Sequence, residues 1–148
     1  MVGSVHMLMG AAIGKALEDP ALVVPVAFLS HFVLDLLPHK DPTAPKDFWK
    51  LGITRHNAWE ILHMTLEPLV GLFVVLGFVF TAPPELAWVI FWGGFFGAIP
   101  DVIEFLARIG KFQWVIMFFE YAHADIESRY GWYPQWLIGL IALVVLFM

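Results

Sequence analysis

The chain has 148 residues, no cysteine, a hydrophobic fraction of 60%, 14% charged residues and a formal net charge of -5, with a mean hydropathy of +0.78. Counted with glycine and without tyrosine, roughly two thirds of it is apolar, against ~45–50% in a soluble globular domain, which excludes a disordered chain, a disulfide scaffold and a nucleic-acid-binding domain. What remains is an all-α integral membrane protein, a single domain over residues 1–148 with a bundle of about four to five helices, since each crossing takes ~20 apolar residues.

In chain order, a first helix is expected at about 4–17, where His6, Gly10 and Gly14 share one face and small residues favour close packing. The opening MVGSVHMLMGAAIGK has no basic residue before its apolar run and carries His6 within it, which argues against a cleaved signal peptide. Pro20 opens a second apolar segment that Pro38 closes, with Pro25 in its first turns. Residues 39–57 read as a polar loop and 58–81 as a third span. The sequence TAPPE at 81–85 then makes a tight reversal into a fourth span at about 85–106. The stretch at about 107–132, with FQWVIMFF and EYAHADIESRYG, reads as a second connection, and Pro134 to Met148 as a short last helix.

Lys40, Lys46, Lys50 and Arg55 lie in the first loop, Arg108, Lys111 and Arg129 in the second connection, and Lys15 is the remaining basic residue. The positive-inside rule therefore places both loops and the N-terminus in the cytoplasm, for a multi-pass protein of the inner (plasma) membrane. Trp49, Trp59, Trp114, Trp132 and Trp136 read as interfacial belt residues.

All six histidines, His6, His31, His39, His56, His63 and His123, then fall at the cytoplasmic side, and Asp35, Glu67 and Asp101 join them within apolar sequence. One charge at the centre of a membrane helix costs ~2.5–3.5 kcal/mol, so three uncompensated acids cost about 8–10 kcal/mol. His31/Asp35 and His63/Glu67, each at i,i+4, put an imidazole and a carboxylate on one helical face. Neutral histidine and ionised carboxylate are ligands of zinc-type ions, so the pattern points to a divalent metal, with a structural His–carboxylate staple as the bland alternative. By depth, Glu67 lies ~14 Å into its span and Asp101 ~8 Å from the exit of its own, at 1.5 Å per residue.

The segment S30-H-F-V-L-D-L-L-P-H-K-D41, with His6-x-x-x-Gly10 before it and G97-A-I-P-D101 after it, resembles the small bacterial inner-membrane proteins described as membrane-bound metal-dependent hydrolases. More distantly, the His31/Asp35 and His63/Glu67 pairs resemble those of the zinc-dependent phospholipase C and single-strand nuclease fold, where such residues bind a zinc cluster that cleaves phosphodiesters. That resemblance implies His31, Asp35, His63 and Glu67 as ligands, Asp35 in a bridging role, and His6 and His39 as completing the set.

A di-iron reading is also open, because Glu60/His63 and Glu120/His123 are both ExxH, with Glu104 as a further acid. It ranks lower, since it leaves His6 and His31 unexplained and Glu104 and Glu120 are too close in sequence for two antiparallel helices. The expectation is a metal-dependent hydrolase of a phosphoester or lipid-related substrate, with Asp101 as ligand or general base and Arg55 and Arg129 orienting a headgroup. A proton or metal-ion transporter and a non-enzymatic membrane adaptor are the competing classes.

Overall fold

A computed structural model of the chain describes residues 2–39, 52–122 and 130–148. These form six helices and no strand: α1 (Gly3–Leu17), α2 (Pro20–Asp35), α3 (Ala58–Thr81), α4 (Pro84–Gly110), α5 (Gln113–Ala122) and α6 (Trp132–Phe147). The chain is all-helical, but with one helix more than the four to five expected. The addition is α5, formed by the aromatic stretch read from sequence as connection; its Phe119 is buried and stacks on Phe32 of α2.

The boundaries follow local chemistry. Asp19 caps α2 by accepting from the Ala21 amide at 2.9 Å, and Pro20 at the first helical position has no amide that needs a partner. Ala82 leaves α3 in an extended conformation ahead of Pro83, and Pro84 starts α4, so the expected reversal is made by two prolines. At the far end of the bundle, Lys15 donates to the Leu146 carbonyl at 2.7 Å and caps the C-terminus of α6.

The central element is α1, although it is short. It packs on α2, α3, α4 and α6, and its Leu8, Ala11 and Ala12 share a core with Val75 of α3, Ile90 of α4 and Ala142 and Leu146 of α6. Against α4 the contact is backbone on backbone. A Cβ at Gly10 or at Gly93 would fall on the other glycine's carbonyl oxygen, one at Gly14 would fall on the Val89 carbonyl, and one at Gly97 would sit 2.5 Å from the His6 carbonyl oxygen. The face predicted from His6, Gly10 and Gly14 thus meets a matching small-residue face on α4.

Two helices are long and apolar enough to cross a membrane: α3, with 24 residues and a mean hydropathy of 1.9, and α4, with 27 and 1.6. At 1.5 Å per residue they extend ~36 and ~40 Å, beyond the ~30 Å of a hydrocarbon core. Only 11% of the apolar stretch of α3 is buried within the protein, so its hydrophobicity is not spent on the interior. Leu66, Val70, Phe73 and Phe80 all face outward from it.

Gly93→Ala is expected to destabilise by at least the ~1–3 kcal/mol typical of overpacking, because the carbonyl it meets cannot move aside. Gly77→Ala, which has open space around it, should be neutral or stabilising by up to ~1 kcal/mol. Chemical unfolding of the purified variants checks the contrast.

Candidate metal centre

Four helices bring polar side chains to one end of the bundle. The first turns of α1 supply Ser4 and His6, the last turn of α2 supplies His31 and Asp35, α3 supplies Glu67, and the second half of α4 supplies Gly97 and Asp101. The glycine seam sets the relative height of α1 and α4, placing the His6 turn directly against Gly97.

Gly97 serves both neighbours. Without a Cβ it admits the His6 carbonyl, and its own carbonyl accepts a hydrogen bond from His31 Nδ1 at 2.9 Å. Pro100, three residues on, has no amide to give to the helical ladder, which loosens α4 at this point. Because a carbonyl can only accept, the Nδ1 of His31 carries a proton, and Nε2 is the nitrogen turned toward the acids.

That nitrogen lies 3.4 Å from Asp35 Oδ2 and 3.5 Å from Asp101 Oδ1. The other oxygen of Asp35 lies 3.1 Å from His6 Nε2, so Asp35 ties together histidines from two helices. The two imidazoles stack with centroids 3.9 Å apart. His6, His31 and Asp35 are buried, at 1%, 0% and 2% exposure, whereas the Asp101 side chain is 44% exposed.

His6, His31 and Asp101 each offer one donor atom such that all three lie within 4.8 Å of one another, a set that can hold a metal ion. Two observations fit an ion there. His6 Nδ1 is buried and has no hydrogen-bond partner among the described residues, a costly arrangement for a polar atom. In addition, two donors on a tetrahedral zinc at ~2.0–2.2 Å are about 3.4 Å apart, close to the separations around His31 Nε2, which are long for hydrogen bonds.

The remaining expected site residues are arranged differently. Glu67 lies outside the three-donor set: both its oxygens are within hydrogen-bond distance of the Ser4 amide, at 3.0 and 3.3 Å, and it accepts from the Ser4 hydroxyl. His63, one turn earlier on α3, is exposed. His39 is buried and donates through Nδ1 to the Leu37 carbonyl at 2.8 Å. Arg55 and His56 are exposed ahead of α3, and Arg129 and His123 lie outside the described residues. Of the acids in the di-iron alternative, Glu104 and Glu120 both receive Arg108 and Glu60 is exposed.

Two contributors were not anticipated from sequence. Ser4 receives no attention in a reading for metal ligands, although a serine in a helix's first turn is a recognisable capping signal. Gly97 belongs to the G97-A-I-P-D101 motif, but sequence does not show its carbonyl to be the acceptor that orients His31. Compared with protein-family models, curated proteins and solved structures, the chain matches none.

Asp35→Ala removes the carboxylate facing both buried histidines. Leaving His6 Nε2 without its partner is expected to cost about 1–3 kcal/mol, measurable as a lower denaturation midpoint.

Proposed function

We propose that the protein is a multi-pass inner-membrane enzyme, a metal-dependent hydrolase of a phosphoester or other lipid-related substrate, with its centre toward the cytoplasmic side. The observation that carries the reading is the convergence of His6, His31 and Asp101 on one point, with a buried, unpartnered nitrogen on His6. A divalent ion of zinc type would supply Lewis acidity and, by lowering the pKa of a coordinated water to ~7, a nucleophile at neutral pH. In this scheme His6, His31 and Asp101 hold the ion, and the outer-shell partners orient the two imidazoles through their other ring nitrogens: Asp35 through His6 Nε2 and the Gly97 carbonyl through His31 Nδ1.

Asp101 has a second role. Its Oδ1 faces His31, and its Oδ2 lies on the side of Gly3, 3.9 Å from where a Cβ there would be. That oxygen is the proposed proton acceptor. The lipid-related substrate is supported by what surrounds this exposed carboxylate. Val102, Ile103 and Phe105, next along α4, are all exposed, so the accessible edge of the centre adjoins an apolar flank. Arg55 and Arg129 are proposed to orient a headgroup.

Membrane embedding and an N-terminus in the cytoplasm rest on the lengths and apolar surfaces of α3 and α4 together with the loop lysines and arginines. The likeness of S30–D41 and G97–D101 to membrane-bound hydrolases points the same way by analogy. A transport path is less well supported, because the halves of α3 and α4 remote from the site, GLFVVLGFVF and LAWVIFWGGFF, carry no charged or histidine side chain.

Protein purified without chelator is expected to carry a stoichiometric divalent metal by mass spectrometry, and to lose it in His31→Ala and Asp101→Ala along with hydrolysis of a phosphodiester presented in mixed micelles. A metal-free wild-type protein whose stability is unchanged in His6→Ala and His31→Ala would sink the proposal.

A further inference from the structure

We propose that Glu67 is a positioning residue that seats the metal centre by clamping the first turn of α1; this rests on the metal reading above. Three observations carry it. First, the carboxylate receives both hydrogen-bonding groups of Ser4, its backbone N–H and its hydroxyl, across 63 residues of sequence. Second, α3 touches α1 at the same spot with its backbone: a Cβ at Gly71, one turn beyond Glu67, would lie 2.5 Å from Ser4 Cα and 2.7 Å from Ser4 Cβ. Third, Ser4 is two residues before His6, whose imidazole must meet His31 and Asp101 from the other helices for the three-donor set to exist.

The chemistry suits an anchor. Ser4 lies in the first turn of α1, where backbone amides have no intrahelical acceptor and the helix dipole attracts a negative charge. Val2, the residue at the N-cap position, makes no side-chain cap, so the capping function that a local Ser or Asp would perform is supplied from another helix. The glycine seam sets the height of α1 against α4, and an anchor of this kind fixes the rotation of its first turn. Glycines allow close approach but do not themselves specify rotation; Asp35 and the stacked His31 hold the His6 ring, and the clamp holds the turn of backbone that carries it. Glu67 then acts on the ion through Ser4 and His6, with its oxygens committed to Ser4.

The experiment uses Co2+ as the probe, titrated into the full-length metal-stripped protein, with hydrogen exchange of the α1 first-turn amides read separately in the metal-free state. Glu67→Ala is expected to raise amide exchange at Ser4 and to weaken Co2+ binding about 10–100-fold, as outer-shell changes do, while the d–d spectrum at saturation stays that of the wild type. Ser4→Ala, which keeps the amide bond to Glu67, should give a smaller loss. Combined with Glu67→Ala it should add little to the Glu67→Ala loss. Glu67→Gln, whose amide oxygen still accepts from the Ser4 N–H, should restore most of the affinity.

If Glu67→Gln is as damaging as Glu67→Ala and both alter the saturated spectrum, Glu67 is a ligand and the positioning role is overturned alone. Unchanged exchange at Ser4 in Glu67→Ala also overturns it. Failure of the wild-type protein to bind Co2+ removes the metal reading and this inference with it.

Discussion

Where α1 crosses α4, the two backbones touch with no side chain between them, at Gly10 against Gly93 and Gly14 against Val89. This contact fixes the spacing on which the rest of the molecule depends. Large apolar side chains lie on the outer surface of the bundle as well as in its core, so hydrophobicity alone discriminates little between helix arrangements, and close van der Waals fit between small residues discriminates more. The fit brings α1 into the middle of the bundle, against α2, α3, α4 and α6. It also presses the His6 turn onto Gly97, so a packing device and a chemical one share the same residues.

The polar end is built from helix segments whose backbone groups need partners, and each acid answers more than one demand. Asp35 faces two histidines, Glu67 serves the Ser4 amide and hydroxyl, and Asp101 turns one oxygen to His31 and the other toward Gly3. Such sharing is what a low-dielectric setting favours, because a buried polar atom without a partner is costly and a network satisfies several at once. His6 Nδ1 stands out against this pattern. An ion held at the proposed centre would give that atom a partner.

Much of this was legible. Helix positions followed from apolar runs and prolines, and the periodicity of His6, Gly10 and Gly14 identified one side of the seam. Proximity of His31 to Asp35 follows from helical spacing alone. What spacing does not carry is which groups from different helices share a height. His63 and Glu67 are as regular a pair as His31 and Asp35, yet His63 is exposed, because α1 begins opposite Glu67 and Pro68, where Gly3 lies, and one turn further out α3 has passed its end. The helix α5 is hard to read for a related reason: Trp114, Met117, Phe118 and Tyr121 are exposed and Phe119 alone is buried, so no broad core-facing stripe separates it from an aromatic connection.

Height also constrains the chemistry. Glu67 is nine residues from the start of α3 and Asp101 nine from the end of α4 (67 − 58 and 110 − 101), so both lie ~14 Å along their helices from the same end of the bundle. Asp101 is therefore deeper than the ~8 Å expected from sequence, because α4 continues for another turn to Gly110. In helices of ~36–40 Å this is about a third of the way in. At that level the half-exposed Asp101 carboxylate stands beside exposed Val102 and Ile103, so the accessible edge of the candidate centre is polar and its flank apolar. Under the proposed hydrolase reading, a headgroup tethered to a chain lying along that flank would meet both the carboxylate and its apolar neighbours, whereas a small hydrophilic solute arriving from water would meet only the first.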